Sequence, residues 1–152
     1  MQTFFAWLEH TGIAASVASS TTLTASLSAI HVLGFTVVIG GALVANLHAL
    51  AALFHERNAM DVAGATNRAI VLGLAISVST GLLLFAARAT EASMNGTFRL
   101  KMLLLVLAVF VHFFVRPSVA AGAPQRVRAA SAIDLALWLG LAVTACAFIL
   151  LE

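Results

Sequence analysis

The stretch SAIHVLGFTVVIGGALVANLHALAAL, Ser28 to Leu53, decides the fold. An α-helix needs about 20 predominantly apolar residues to cross a bilayer. This run is longer and holds no Asp, Glu, Lys or Arg. It nevertheless carries His31 and His48 towards its two ends, with Asn46 beside the second. Polar groups at membrane depth are costly and mark a functional site by default.

Three further runs repeat the pattern. Around the first span, set at residues 26–54, follow AGATNRAIVLGLAISVSTGLLLFAA (63–87), FRLKMLLLVLAVFVHFFV (98–115) and ASAIDLALWLGLAVTACAFILL (130–151). The whole chain of 152 residues is 62% hydrophobic and only 9% charged, where a soluble domain carries roughly 25% charged residues. Mean hydropathy is +1.06. The connections are short, so neighbouring spans should run antiparallel. The expectation is an all-α integral membrane four-helix up-down bundle, one domain over residues 1–152. The segment 1–25 precedes it. There Phe4, Phe5, Trp7 and Leu8 stand beside Glu9 and His10, a mixture suited to the membrane interface. Thr3 to Ser19 therefore reads as one or two short interfacial helices, with a disordered tail as the alternative. No Lys or Arg precedes Arg57, which argues against a cleavable signal peptide.

Charge and cysteine content exclude several classes. The net charge of +2 includes no basic run, so nucleic acid is not an expected partner. The single cysteine, Cys146, lies in an apolar run and supports neither an internal disulfide nor a cysteine metal motif. No serine-nucleophile arrangement, phosphate loop or HExxH is present, so no catalytic residue is assigned. Arg57 and Arg68 in the first connection, with Arg116, Arg126 and Arg128 in the third, outnumber Arg88, Arg99 and Lys101 in the second. The positive-inside rule then puts both termini outside, in a bacterial inner membrane the periplasm.

Depth brings the polar residues together. His48 and His112 each fall near the inner end of an outward-to-inward span, and Asp134 falls early in the returning fourth span. With Asn46 and Arg68 they form a candidate inner cluster, in which Arg68 would neutralise Asp134. Lys101 and Met102 share the outer level with His31. Two imidazoles at equal depth on facing helices would hold one b-type haem. His48 with His112 is that pair, and His31 with Met102 or Lys101 is a second, outer ligand set. Seventeen residues separate His31 from His48, which puts them about 100° apart on an ideal helix. One straight face cannot present both. Zinc is disfavoured, since its sites want three or four close ligands. Each histidine also has a plainer reading as a satisfied packing residue.

His31-Val32-Leu33-Gly34, Gly40-Gly41, Thr80-Gly81-Leu82-Leu83 and Phe98-Arg99-Leu100-Lys101-Met102 together resemble an uncharacterised family of small bacterial four-helix membrane proteins. More distantly, His31 with Gly41 and the Lys101 that opens a Leu-rich span resemble the J-type protoporphyrinogen oxidases and the copper-resistance D proteins. That resemblance implies a haem role for His31 and an active-site role for Lys101. The chain departs from them in having no Trp in the first span and no tyrosine.

The leading expectation is a membrane-embedded haem b protein, with one cofactor or two. It would carry electrons between a membrane redox pool, such as a quinone, and a partner. The alternatives are a cofactor-free scaffold subunit of a larger complex or of a homo-oligomer, and a small transporter or proton path through histidine, Asp134 and Lys101.

Overall fold

The computed structural model describes residues 2–50, 59–120 and 122–150, with side chains for 3–50, 64–120 and 122–147. The expected inner loop with His55, Glu56 and Arg57, and the last residues of the first and fourth expected spans, lie outside the described residues. No strand occurs among the described residues. In chain order the helices are α1 (Gln2–Glu9), α2 (Gly12–Ser19), α3 (Thr21–Ala49), α4 (Ala59–Ala87), α5 (Ala89–Met94) and α6 (Gly96–Phe110). A π-helical turn (Val111–Val115), α7 (Arg116–Val119) and α8 (Pro124–Leu150) complete the fold. Four stretches are long and apolar enough to cross a membrane: Thr21–Ala49, Gly64–Ala87, Gly96–Val119 and Pro124–Ala147. Large apolar side chains such as Leu33, Leu72, Val106 and Val143 point outward on all four, as lipid-facing surfaces require. The chain is therefore an all-α, multi-pass membrane protein by composition and length.

The fold divides into two compact units, residues 1–38 with 71–96 and residues 39–70 with 97–152. Helices α3 and α4 contribute to both.

In the first unit the two long helices approach at the backbone. A Cβ on Gly73 would lie 2.7 Å from the Gly34 carbonyl oxygen and 2.8 Å from Val38 Cγ2. A Cβ on Gly34 would lie 3.1 Å from the Ser77 backbone nitrogen. Only glycine allows this approach, the small-residue mode of helix association in membranes. His31 faces Gly81 and Gly34 faces Gly73, so α3 and α4 run antiparallel there. The expected interfacial segment forms two helices. Ser20 breaks α2 from α3, its hydroxyl accepting from the Leu23 N–H at 3.3 Å. Trp7 and Phe4 of α1 are exposed, while Phe5 meets Phe85 edge to face at 6.0 Å. Glu9 Oε1 accepts from the Thr90 N–H at 2.7 Å, which satisfies an orphan donor at the start of α5.

In the second unit Leu104 lies opposite Gly140 and His112 opposite Asp134, so α6 and α8 are antiparallel. The third span was expected to end at Arg116-Pro117, but helix continues to Val119. A proline in a continuing helix clashes with the carbonyl four residues back and supplies no N–H. The chain meets this by widening to π geometry just before Pro117.

Candidate functional site

The second unit collects its polar residues around Asp134. On α8, Ser131, Asp134, Trp138, Leu141 and Ala145 repeat at three- and four-residue steps and are all buried. Such spacing puts them on one helix face. Asp134 has 0% exposure. Among the described residues, its Oδ2 atom receives every partner the carboxylate has. Asn46 Nδ2 on α3 donates to it at 2.9 Å and to the Ala42 carbonyl at 2.8 Å. His112 Nδ1 stands 2.8 Å from the same oxygen. Arg116 Nη1 lies 3.5 Å away, and its Nη2 donates to the Ala45 carbonyl at 3.3 Å.

The tautomer of His112 follows from these neighbours. A lone pair on Nδ1 would face a carboxylate oxygen at 2.8 Å, which is repulsive. With the carboxylate ionised, Nδ1 therefore carries hydrogen and donates to Asp134. The 3.3 Å approach of Arg116 Nη1 to the same nitrogen is then a contact rather than a bond. The ring is boxed in by Phe113, 4.9 Å away edge to face, and by Trp138, 6.1 Å away edge to face. His112 sits in the π-helical turn, a local geometry that recurs at functional positions.

Several sequence expectations change here. Asn46, His112 and Asp134 come together as expected. Arg68 does not join them: it is exposed on α4, and Arg116 supplies the cation instead. Its signal was its position, one turn after His112 in the same helix. Asn46, not His48, is the α3 residue that meets the carboxylate. His48 follows two residues later, about 200° round an ideal helix from Asn46, and is half-buried. The expected facing of His48 and His112 gives way to an Asn46–Asp134–His112 chain. Ser131 and Trp138, three residues before and four after Asp134, were not singled out from the sequence. Among the described residues, no three His, Cys, Asp or Glu side chains group as a metal site.

His31 belongs to the first unit. Its Nδ1 donates to the Ser77 carbonyl at 2.8 Å, with the Thr80 hydroxyl 3.3 Å away. The ring fills the notch left by Gly81, where a Cβ would come within 2.9 Å of its Cε1 atom. Lys101 is half-buried on α6, and Met102 is exposed.

The model of one protein family, described as a family of unknown function (DUF6644), matches residues 4–149, and the chain belongs to that family. No curated protein and no solved structure matches it. The likeness to J-type protoporphyrinogen oxidases and copper-resistance D proteins finds no support in these comparisons.

Proposed function

We propose that this member of the family is a proton-handling protein of the bacterial inner membrane, with both termini on the periplasmic side. The observation that carries the reading is the 2.8 Å separation of His112 Nδ1 and Asp134 Oδ2 in a fully buried place. That distance lies within the range for proton transfer between side chains, and intramembrane acid–histidine chains recur in proton relays. Protonation of the imidazole gives an imidazolium. Passing its Nδ1 proton to Oδ2 leaves a neutral imidazole and a carboxylic acid. Arg116 offsets the negative charge before transfer, and Asn46 fixes the oxygen that receives the proton.

The test uses vesicles that contain the purified protein and a pH-sensitive dye, polarised by a potassium gradient with valinomycin. The wild type should acidify its lumen well above the protein-free rate. Asp134→Asn should return it to that rate, while His31→Ala should not. Equal rates for wild-type and empty vesicles contradict the proposal.

A second reading, a haem b protein exchanging electrons between a quinone-like pool and a redox partner, is favoured by His31. Its Nδ1 is committed to a backbone carbonyl, the arrangement that orients metal-ligating imidazoles. Haem bound there would supply one-electron chemistry. Protein expressed with ample haem should show a Soret band that His31→Ala removes. Colourless protein contradicts this reading alone.

A further inference from the structure

Four polar atoms at and around the carboxylate have no partner among the described residues although they are buried: Asn46 Oδ1, Ser131 Oγ, Asp134 Oδ1 and Trp138 Nε1. Their residues are at most 1% exposed. Buried polar atoms in proteins are nearly always paired with protein or ordered water. Ser131, Asp134 and Trp138 share one face of α8. Asn46 is tied to Asp134 by the 2.9 Å bond from its own amide, which keeps the two unpaired oxygens in one neighbourhood.

The chemistry of the set selects its ligand. Asn46 Oδ1 and ionised Asp134 Oδ1 only accept. Trp138 Nε1 only donates, and the Ser131 hydroxyl can donate. A metal cation would meet an indole N–H and the Arg116 guanidinium, 3.5 Å from the carboxylate. An anion would meet two bare acceptor oxygens. Water offers two donors and two acceptors, the complement of this set, and buried water typically makes about three such bonds. We propose that these four side chains bind a water molecule, which joins the unshared oxygen of Asp134 to the indole of Trp138. The site deepens the proton-handling reading and rests on it for the water's use, not for its presence. In that use, the water is the proton's next station beyond Asp134.

The probe is the indole N–H of Trp138, read by ultraviolet resonance Raman spectroscopy in nanodiscs. The chain has two tryptophans, so Trp7→Phe leaves Trp138 as the reporter. The expected spectrum is that of a hydrogen-bonded N–H. Ser131→Val, which replaces the hydroxyl with methyl groups, should convert it to a free N–H. A free N–H in the Trp7→Phe protein overturns the proposal. So does a bonded N–H that survives Ser131→Val. An infrared band of protonated carboxyl at neutral pH, lost in Asp134→Asn, also overturns it. A proton on Oδ1 donating to Asn46 Oδ1 would then satisfy both acceptors without water. These outcomes do not depend on vesicle flux, so the two proposals fail separately.

Discussion

In the first unit the imidazole of His31 meets a backbone carbonyl, while in the second that of His112 meets a carboxylate sealed from solvent. Both rings have Nδ1 committed and both lie on membrane-length helices. Their surroundings differ in kind. Around His31 are Ser77, Thr80 and Gly81, small and uncharged. Around His112 are Asp134 and Arg116, with four buried polar atoms nearby that find no partner among the described residues. The first is a pin that lets two helices approach. The second concentrates charge where burial costs several kcal/mol per ion. That contrast is why the proton-handling proposal rests on the second unit.

The comparison is broken most directly by removing the carboxylate. Asp134→Ala leaves His112 and Arg116 facing each other without a counter-charge. It should cost about 3–5 kcal/mol, as loss of one partner of a buried pair does, read as unfolding in detergent titrations. His112→Ala removes one hydrogen bond to a charged group and should cost about 1.5–3 kcal/mol. In the first unit the sensitive point is the helix contact rather than the histidine. Gly73→Ala drives a methyl into the Gly34 carbonyl, 2.7 Å away, and should cost about 1–3 kcal/mol through overpacking. His31→Ala should cost only about 1 kcal/mol, since one neutral hydrogen bond is lost. Glu9→Ala removes the acceptor for Thr90 N–H and should cost up to about 1 kcal/mol, confined to α5. If His31→Ala proved as damaging as Asp134→Ala in the same titration, the distinction between the two units would collapse.

The class of fold was legible because hydropathy alone identifies membrane-length helices, and each of the four apolar runs became one. Asn95 separates α5, which ends at Met94, from α6, which starts at Gly96, as an Asn-Gly turn dipeptide predicts. Depth arithmetic brought Asn46, His112 and Asp134 together because rise per residue survives small errors in helix ends. Azimuth does not. The π-helical turn before Pro117 alters which way His112 and Arg116 point, and an ideal-helix count carries no sign of it. Hence Arg116 was read as a loop charge and Arg68 as the counter-ion. Ser131 and Trp138 lay at helical spacing from Asp134, a signal present in the sequence but masked by the apolar character of the run.

The measurement that bears most directly on the central claim is infrared spectroscopy after a pH jump, on the purified protein in nanodiscs. The carboxyl stretch of Asp134 and the ring modes of His112 should change together, and the carboxyl change should vanish in Asp134→Asn. A carboxyl band that stays constant while the ring modes of His112 change would contradict proton exchange between them.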